Sequence, residues 1–173
     1  MRVRLAGSGD AEAIRSIYNH EVTRGTATFD LVPRTAEEQR AWLGRHDGAH
    51  PAVVAVEPAG GAEGPAGAGG EVVLGFGSLS PFRSRPAYAT SVEDSVYVAG
   101  RHQGRGVGRA LLDELVRLAA VHGFHTVIAR IVGENEPSIA LHRACGFETV
   151  GVEREVGRKH GRWLDVVEMQ RML

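Results

Sequence analysis

Apolar residues recur along the chain with two periods, and the changes of period mark out its elements. Residues 3–5 make a short opening strand. Asp10 stands where a helix N-cap is expected, ahead of Ile14, Ile17, Tyr18 and Val22 at helical spacing. A loop with Gly25, Thr26, Thr28 and Phe29 follows, and then Thr35 and Glu38 form a capping-box pair that opens a second helix through Trp42. The apolar runs 52–56 and 72–79 predict two strands. Residues 91–99 alternate as a third, with Val92, Val96 and Val98 among polar neighbours. From Gly104 the period becomes helical, with Leu111, Leu112, Leu115, Leu118 and Ala119 on one face up to Gly123. A buried strand over 124–132, a helix from Pro137 to Gly146, and strands over 148–156 and 163–169 complete the order βααβββαβαββ. That order predicts an α/β (α+β) fold, a mixed central sheet with helices on its faces.

The interval 57–71 is almost wholly Gly, Ala, Pro and Glu, which predicts a flexible hairpin loop rather than a linker between domains. A chain of 173 residues then suits one domain with one core. Its 20 basic and 21 acidic residues nearly balance, which argues against a strongly basic nucleic-acid binder. Cys145 stands alone, so no intramolecular disulfide is available. No run is long and apolar enough for a membrane helix, and the N-terminus lacks the apolar stretch of a secretory signal, so a cytoplasmic protein is expected. The histidines show no metal-ligand spacing with Cys145 or with one another, so no metal site is expected.

The most specific segment is Gln103-Gly104-Arg105-Gly106-Val107-Gly108-Arg109, between a strand and the start of a helix. Exposed N–H groups at a helix N-terminus form an anion site, and glycines let that backbone approach a phosphate. No lysine and hydroxyl follow as in a nucleotide P-loop, and the dinucleotide fingerprint fails because its last glycine place is Arg109. Arg101, His102, Arg105 and Arg109 surround the loop with cationic or protonatable groups, which favours an anionic ligand.

This segment resembles the Gln/Arg-x-x-Gly-x-Gly/Ala signature of the GCN5-related N-acetyltransferase (GNAT) superfamily, whose loop binds the pyrophosphate of acetyl-coenzyme A. Ile17-Tyr18-Asn19-His20-Glu21, Ser95-Val96-Tyr97-Val98, Ser138-Ile139-Ala140-Leu141-His142 and Gly161-Arg162-Trp163-Leu164-Asp165 are similar to blocks of its phosphinothricin (methionine sulfone/sulfoximine) N-acetyltransferase branch. The resemblance runs through nearly the whole chain; the 57–71 insert departs from it in length. It implies the GNAT fold, with a β-bulge or splay at the acetyl-CoA site, and acetyl-CoA as co-substrate. It places Val96, Tyr97 and Val98 along the pantetheine arm, Gln103, Gly104, Arg105, Gly106, Val107, Gly108 and Arg109 around the pyrophosphate, and Asn135 and Ser138 on further contacts. It sets the Val98 N–H toward the thioester carbonyl, and Phe29, Arg83 and Arg85 around a small acceptor, whose carboxylate and phosphinate or sulfone oxygens suit guanidinium donors. A homodimer is implied as well.

Acetyl transfer to an amine poses two proton problems. An α-amine with a reference pKa of about 7.7–8.0 is mostly protonated at neutral pH, and a departing thiolate benefits from an acid. The resemblance makes Glu93 the base, directly or through a water, provided burial raises its pKa. Strand alternation sets Asp94 on the opposite side, as a control for Glu93. His142 occupies a helix position where many superfamily members carry a tyrosine acid. Three roles stay open to it: protonating the thiolate, positioning the amine, or bonding the cofactor. Cys145 is expected to be a core residue, and direct transfer is preferred to a Cys-acetyl intermediate. The leading expectation is an N-acetyltransferase for a small amino acid or analogue. The rivals are one acting on a protein N-terminus or another amine, and an inactive acyl-CoA sensor.

Overall fold

The computed structural model describes residues 1–60 and 64–173. Its elements are β1 (Arg2–Leu5), α1 (Ala11–Arg24), α2 (Ala36–Gly44), β2 (Ala52–Pro58), β3 (Glu71–Pro81), β4 (Ser91–Val98), α3 (Val107–Val121), β5 (Thr126–Val132), α4 (Glu136–Ala144), β6 (Glu148–Lys159) and β7 (Arg162–Met172). The strands form one mixed sheet in the order β1-β2-β3-β4-β5-β7-β6, with β4 and β5 parallel and every other pair antiparallel.

Alternation divides the side chains of this sheet between two cores. On one face Leu111, Leu112 and Leu115 of α3 and Ile139 of α4 pack against Val53, Leu74, Val92 and Val127. On the other, Ile14, Ile17 and Tyr18 of α1 meet Val54, Val73 and Phe76. The capping box of α2 forms as its sequence predicts, with Thr35 Oγ1 accepting from the Glu38 N–H and Glu38 Oε2 accepting from the Thr35 N–H.

The strand boundaries differ from the sequence reading chiefly at the hairpins. β6 and β7 extend to a tight turn at His160 and Gly161, both with positive φ, because a two-residue turn lets the ladder continue to Lys159 and Arg162. The central strands part as a splay, not as a bulge in β4. β4 keeps unbroken register with β3 from Val92 to Val98, whereas its pairing with β5 covers only Ser91, Val92 and Glu93. Register shifts lie instead in the β2–β3 and β6–β7 ladders.

Asp10 does not cap α1 with its side chain. A 3-10 turn at Ser8–Asp10 precedes the helix, and the fully buried carboxylate turns elsewhere. It accepts from Arg4 at 2.7 and 2.9 Å, from the Gly7 N–H at 2.8 Å and from the Ala68 N–H at 2.9 Å. Asp10 thereby ties the 57–71 segment to β1. Further ties come from the Gly67 N–H to the Glu71 carbonyl and from the Val73 N–H to the Pro65 carbonyl. The rest of that expected flexible loop, residues 61–63, lies outside the described residues.

Burial pushes the Asp10 carboxyl up, but the Arg4 bonds and two backbone N–H groups outweigh it and hold the carboxyl below its usual range. A carboxyl lowered in the folded state stabilises above its unfolded pKa, and that contribution is lost as pH falls. Asp10→Ala is expected to cost about 3 kcal/mol at pH 7. Urea unfolding of both proteins should show the gap shrinking below about pH 4, where the unfolded chain's carboxyl takes up a proton while the native one is still ionised.

Candidate active site

Where β4 leaves β5, a groove of about 420 Å³ opens between β4, the glycine segment and α4. Val96, Tyr97 and Val98 form one wall, and Asn135, Pro137, Ser138 and Leu141 the other. Gln103, Gly104, Gly106, Val107, Gly108 and Arg109 close its end. The chain can turn there because Gly104 and Gly106 adopt φ of 72° and 79°, a region costly for residues with a Cβ. Gly106 is the N-cap of α3, so the first N–H groups of that helix are left without partners inside it. At Gly108 a Cβ would lie 3.0 Å from Leu141 Cδ2, so glycine lets the start of α3 approach α4.

Every residue expected on the coenzyme lines this groove except Arg105. Arg105 turns away, reaching His102 Nδ1 at 2.9 Å and Glu57 at 3.4 Å, because both partners sit behind the loop. Glu21 and Ala27 also line the groove and were not expected there. The loop that carries Ala27 is pinned by Tyr18, whose hydroxyl bonds Thr28 Oγ1 at 2.9 Å and donates to Asp30 at 2.6 Å. It is pinned again by the buried Lys159, whose ammonium donates to the carbonyls of Thr28 at 2.7 Å and Glu21 at 3.1 Å. Lys159 comes from the hairpin tip, 131 residues away from Thr28, and no local pattern announces such a contact.

A smaller cavity of about 50 Å³ lies at the apex of the splay and shares Val96, Tyr97, Asn135 and Ser138 with the groove. Asp94 and His142 line it. Both are buried, at 5% and 3% exposure, so His142 is no surface histidine. Its Nε2 lies 3.1 Å from Asp94 Oδ2, its Nδ1 lies 2.7 Å from the Ser138 carbonyl, and its ring meets Phe147 edge-on. Burial alone lowers the His142 pKa, but the Asp94 carboxylate and the Ser138 carbonyl reverse this and hold it above the usual range. Asp94 therefore sits opposite Glu93, as alternation requires, yet cannot serve as an idle control.

Glu93 is half-buried, and burial pushes its carboxyl above the usual range. Arg130 opposes the rise, while Asp94, Glu168 and Glu153 add to it. Glu93 lines neither cavity; Ser95 and Tyr97, on its own face of β4, do. Phe29, Arg83 and Arg85 also lie outside both. Phe29 covers Gly157 of β6, where a Cβ would come within 2.1 Å of its ring. The Arg83 guanidinium stacks over Phe82 and Tyr88 at 4.8 and 5.4 Å, so its own loop holds it. Cys145 is buried, and burial and Asp113 push its thiol up to about 11. Among the described residues no group of three or more His, Cys, Asp or Glu is placed to hold a metal ion. Nor is any helix among them long and apolar enough to cross a membrane.

Residues 13–147 match the model of the Acetyltransferase (GNAT) family. The chain is 41% identical over its whole length to a phosphinothricin N-acetyltransferase of Streptomyces coelicolor, covering 96% of that protein. It is 37% identical to an L-methionine sulfoximine/L-methionine sulfone acetyltransferase of Pseudomonas paraeruginosa, over 97% of this chain and 92% of the relative. Among solved structures, a GNAT superfamily phosphinothricin acetyltransferase from Sinorhizobium meliloti in complex with AcCoA superposes with a TM-score of 0.88 at 40% identity, over 99% of this chain and 87% of the other. The splayed sheet, the glycine-capped helix and these matches together place the chain in the GNAT acetyltransferase family.

Proposed function

We propose that this chain transfers the acetyl group of acetyl-CoA to the α-amine of a small amino acid or analogue of the phosphinothricin, methionine sulfone or methionine sulfoximine class. Two adjoining cavities carry the reading. They lead from the free N–H groups of α3, suited to the coenzyme's pyrophosphate, to the apex of the splay, where Asp94 and His142 lie buried. Arg109 adds a cation at the phosphate end. The names of the relatives support the acceptor class.

Within this site Glu93 takes the proton of the attacking amine through a water, helped by the burial that raises its affinity for a proton. The Val98 N–H is offered to the thioester oxygen. The family resemblance assigns Phe29, Arg83 and Arg85 to the acceptor, although they lie outside both cavities. Transfer is direct, because a thiol as buried and weakly acidic as that of Cys145 is a poor nucleophile. The chain acts as a cytoplasmic homodimer. Val150, Val152 and Val156 on the edge strand β6, with Trp163 on β7, expose apolar surface suited to a second copy.

Thiol release from acetyl-CoA, followed across a panel of amines, tests the activity. Release with phosphinothricin or methionine sulfone but not with peptides is expected. Tight acetyl-CoA binding with no release for any amine would leave only a sensor.

Glu93→Gln should lower kcat/KM at pH 7 about 100-fold and abolish the rise in rate with pH. That rise belongs to a base whose deprotonation is delayed by its raised pKa. Glu12→Gln, on the exposed face of α1, is the control expected to leave the profile unchanged. Matching profiles for Glu93→Gln and wild type would remove Glu93 from the role of base.

Sedimentation should give a dimer, and Val152→Glu with Trp163→Glu should give monomers. A wild-type monomer at micromolar concentration would refute the assembly.

A further inference from the structure

The His142 ring lies between two acceptors. The Ser138 carbonyl, 2.7 Å from Nδ1, cannot donate, so Nδ1 carries a hydrogen. Asp94 Oδ2, 3.1 Å from Nε2, is an acceptor whenever that carboxyl is ionised, so Nε2 then carries a hydrogen too. Asp94 Oδ1 has no partner among the described residues, although the side chain is almost wholly buried. A buried carboxylate in that state draws strongly on the one N–H it has. The pair also spans the site, joining β4 to α4 at the apex of the splay.

The two ring nitrogens are not equivalent in what they can give up. Losing the Nε2 proton would set a lone pair against the Asp94 carboxylate. Losing the Nδ1 proton sets a lone pair only against the neutral Ser138 carbonyl, with the Ser138 hydroxyl 3.4 Å away able to turn and donate to it, and leaves a neutral imidazole still donating from Nε2 to Asp94. Nδ1 is also on the side of Ser138, a residue that lines both the apex cavity and the groove, and whose Oγ lies 3.4 Å from Nδ1.

We propose that Asp94 is a positioning residue for acetyl transfer: by holding the Nε2 proton of His142, it makes Nδ1 the nitrogen that yields a proton to the leaving sulfur. This rests on the acetyltransferase reading above. The amine nitrogen bonds to the acetyl carbon, the C–S bond breaks with its electron pair going to sulfur, and the Nδ1 proton joins that pair. The amine's own proton goes to Glu93, and His142 is left neutral on Asp94. Tyr97 and Arg130 are the other titratable groups lining the cavity, and Glu93 faces the other side of β4.

Asp94→Asn tests this. An asparagine amide can donate to Nε2, so it retains a hydrogen bond but favours the ring with hydrogen on Nδ1 alone. In 15N NMR of the unligated protein at pH 7.5, His142 should show two protonated nitrogens in the wild type and one in Asp94→Asn. The variant's kcat should fall about 100-fold, with KM for acetyl-CoA within about threefold of wild type. Asp94→Glu, which restores a carboxylate, should recover both the second N–H and part of the rate. A singly protonated His142 in the wild type, an unchanged kcat in Asp94→Asn, or a loss confined to KM would each overturn the proposal. The spectrum needs neither acetyl donor nor acceptor. A wild-type protein that shows two protonated nitrogens but acetylates no amine would therefore count against the proposed function and not against the proton assignment.

Discussion

Two central strands that lie side by side in parallel stay paired at Ser91, Val92 and Glu93 and then separate, although β4 runs on to Val98 and β5 to Val132. A strand edge released inside a sheet exposes N–H and C=O groups that another partner must satisfy. Here β3 on one side and β7 on the other remain fully paired, so the opening is a slot with two rigid walls and not a frayed end. An extended molecule that carries amides can lie along such an edge as an added strand would. The pantetheine arm of acetyl-CoA has that character. The separation also brings side chains from β4, β5 and α4 around one cavity at the vertex.

Local patterns in the sequence carried the elements well, because their causes are local. Thr35 and Glu38 form the capping box that their spacing calls for, and the glycine segment ends in a left-handed N-cap at Gly106. The assigned coenzyme residues of 96–98 and 103–109 line one groove for the same reason, because strand end, loop and helix start follow one another in chain, while Asn135 and Ser138 reach it from the start of α4. Arg105 is the exception, because its direction depends on Glu57, which is 48 residues away.

What stayed hidden was long-range. Asp10 looks like a helix cap until Arg4 and Ala68 compete for its carboxylate. Lys159, at the end of the last hairpin, is buried on two carbonyls of the α1 end and the loop that follows. Asp94 reads only as a control for Glu93, and His142 as a candidate whose role stays open, with no sign that the two meet. Nothing within either segment reports the other, because strand alternation says only that Asp94 faces away from Glu93, not what waits on that side.

The pair of neighbouring carboxylates shows how one strand supplies two kinds of electrostatics. Glu93 faces Arg130, Glu153 and Glu168, a crowd with more carboxylates than cations, and burial adds to their effect in favouring its protonated form. Asp94 faces His142, a single partner that can carry the opposite charge. Adjacent carboxylates thus meet different surroundings on the two faces of a single sheet, one among further carboxylates and one against a histidine. The coupling between them has a definite sign: a charge on Asp94 raises the proton affinity of Glu93 on one side and of His142 on the other. Glu93 and the histidine therefore respond together to whatever alters Asp94, even though they stand on opposite faces of the strand.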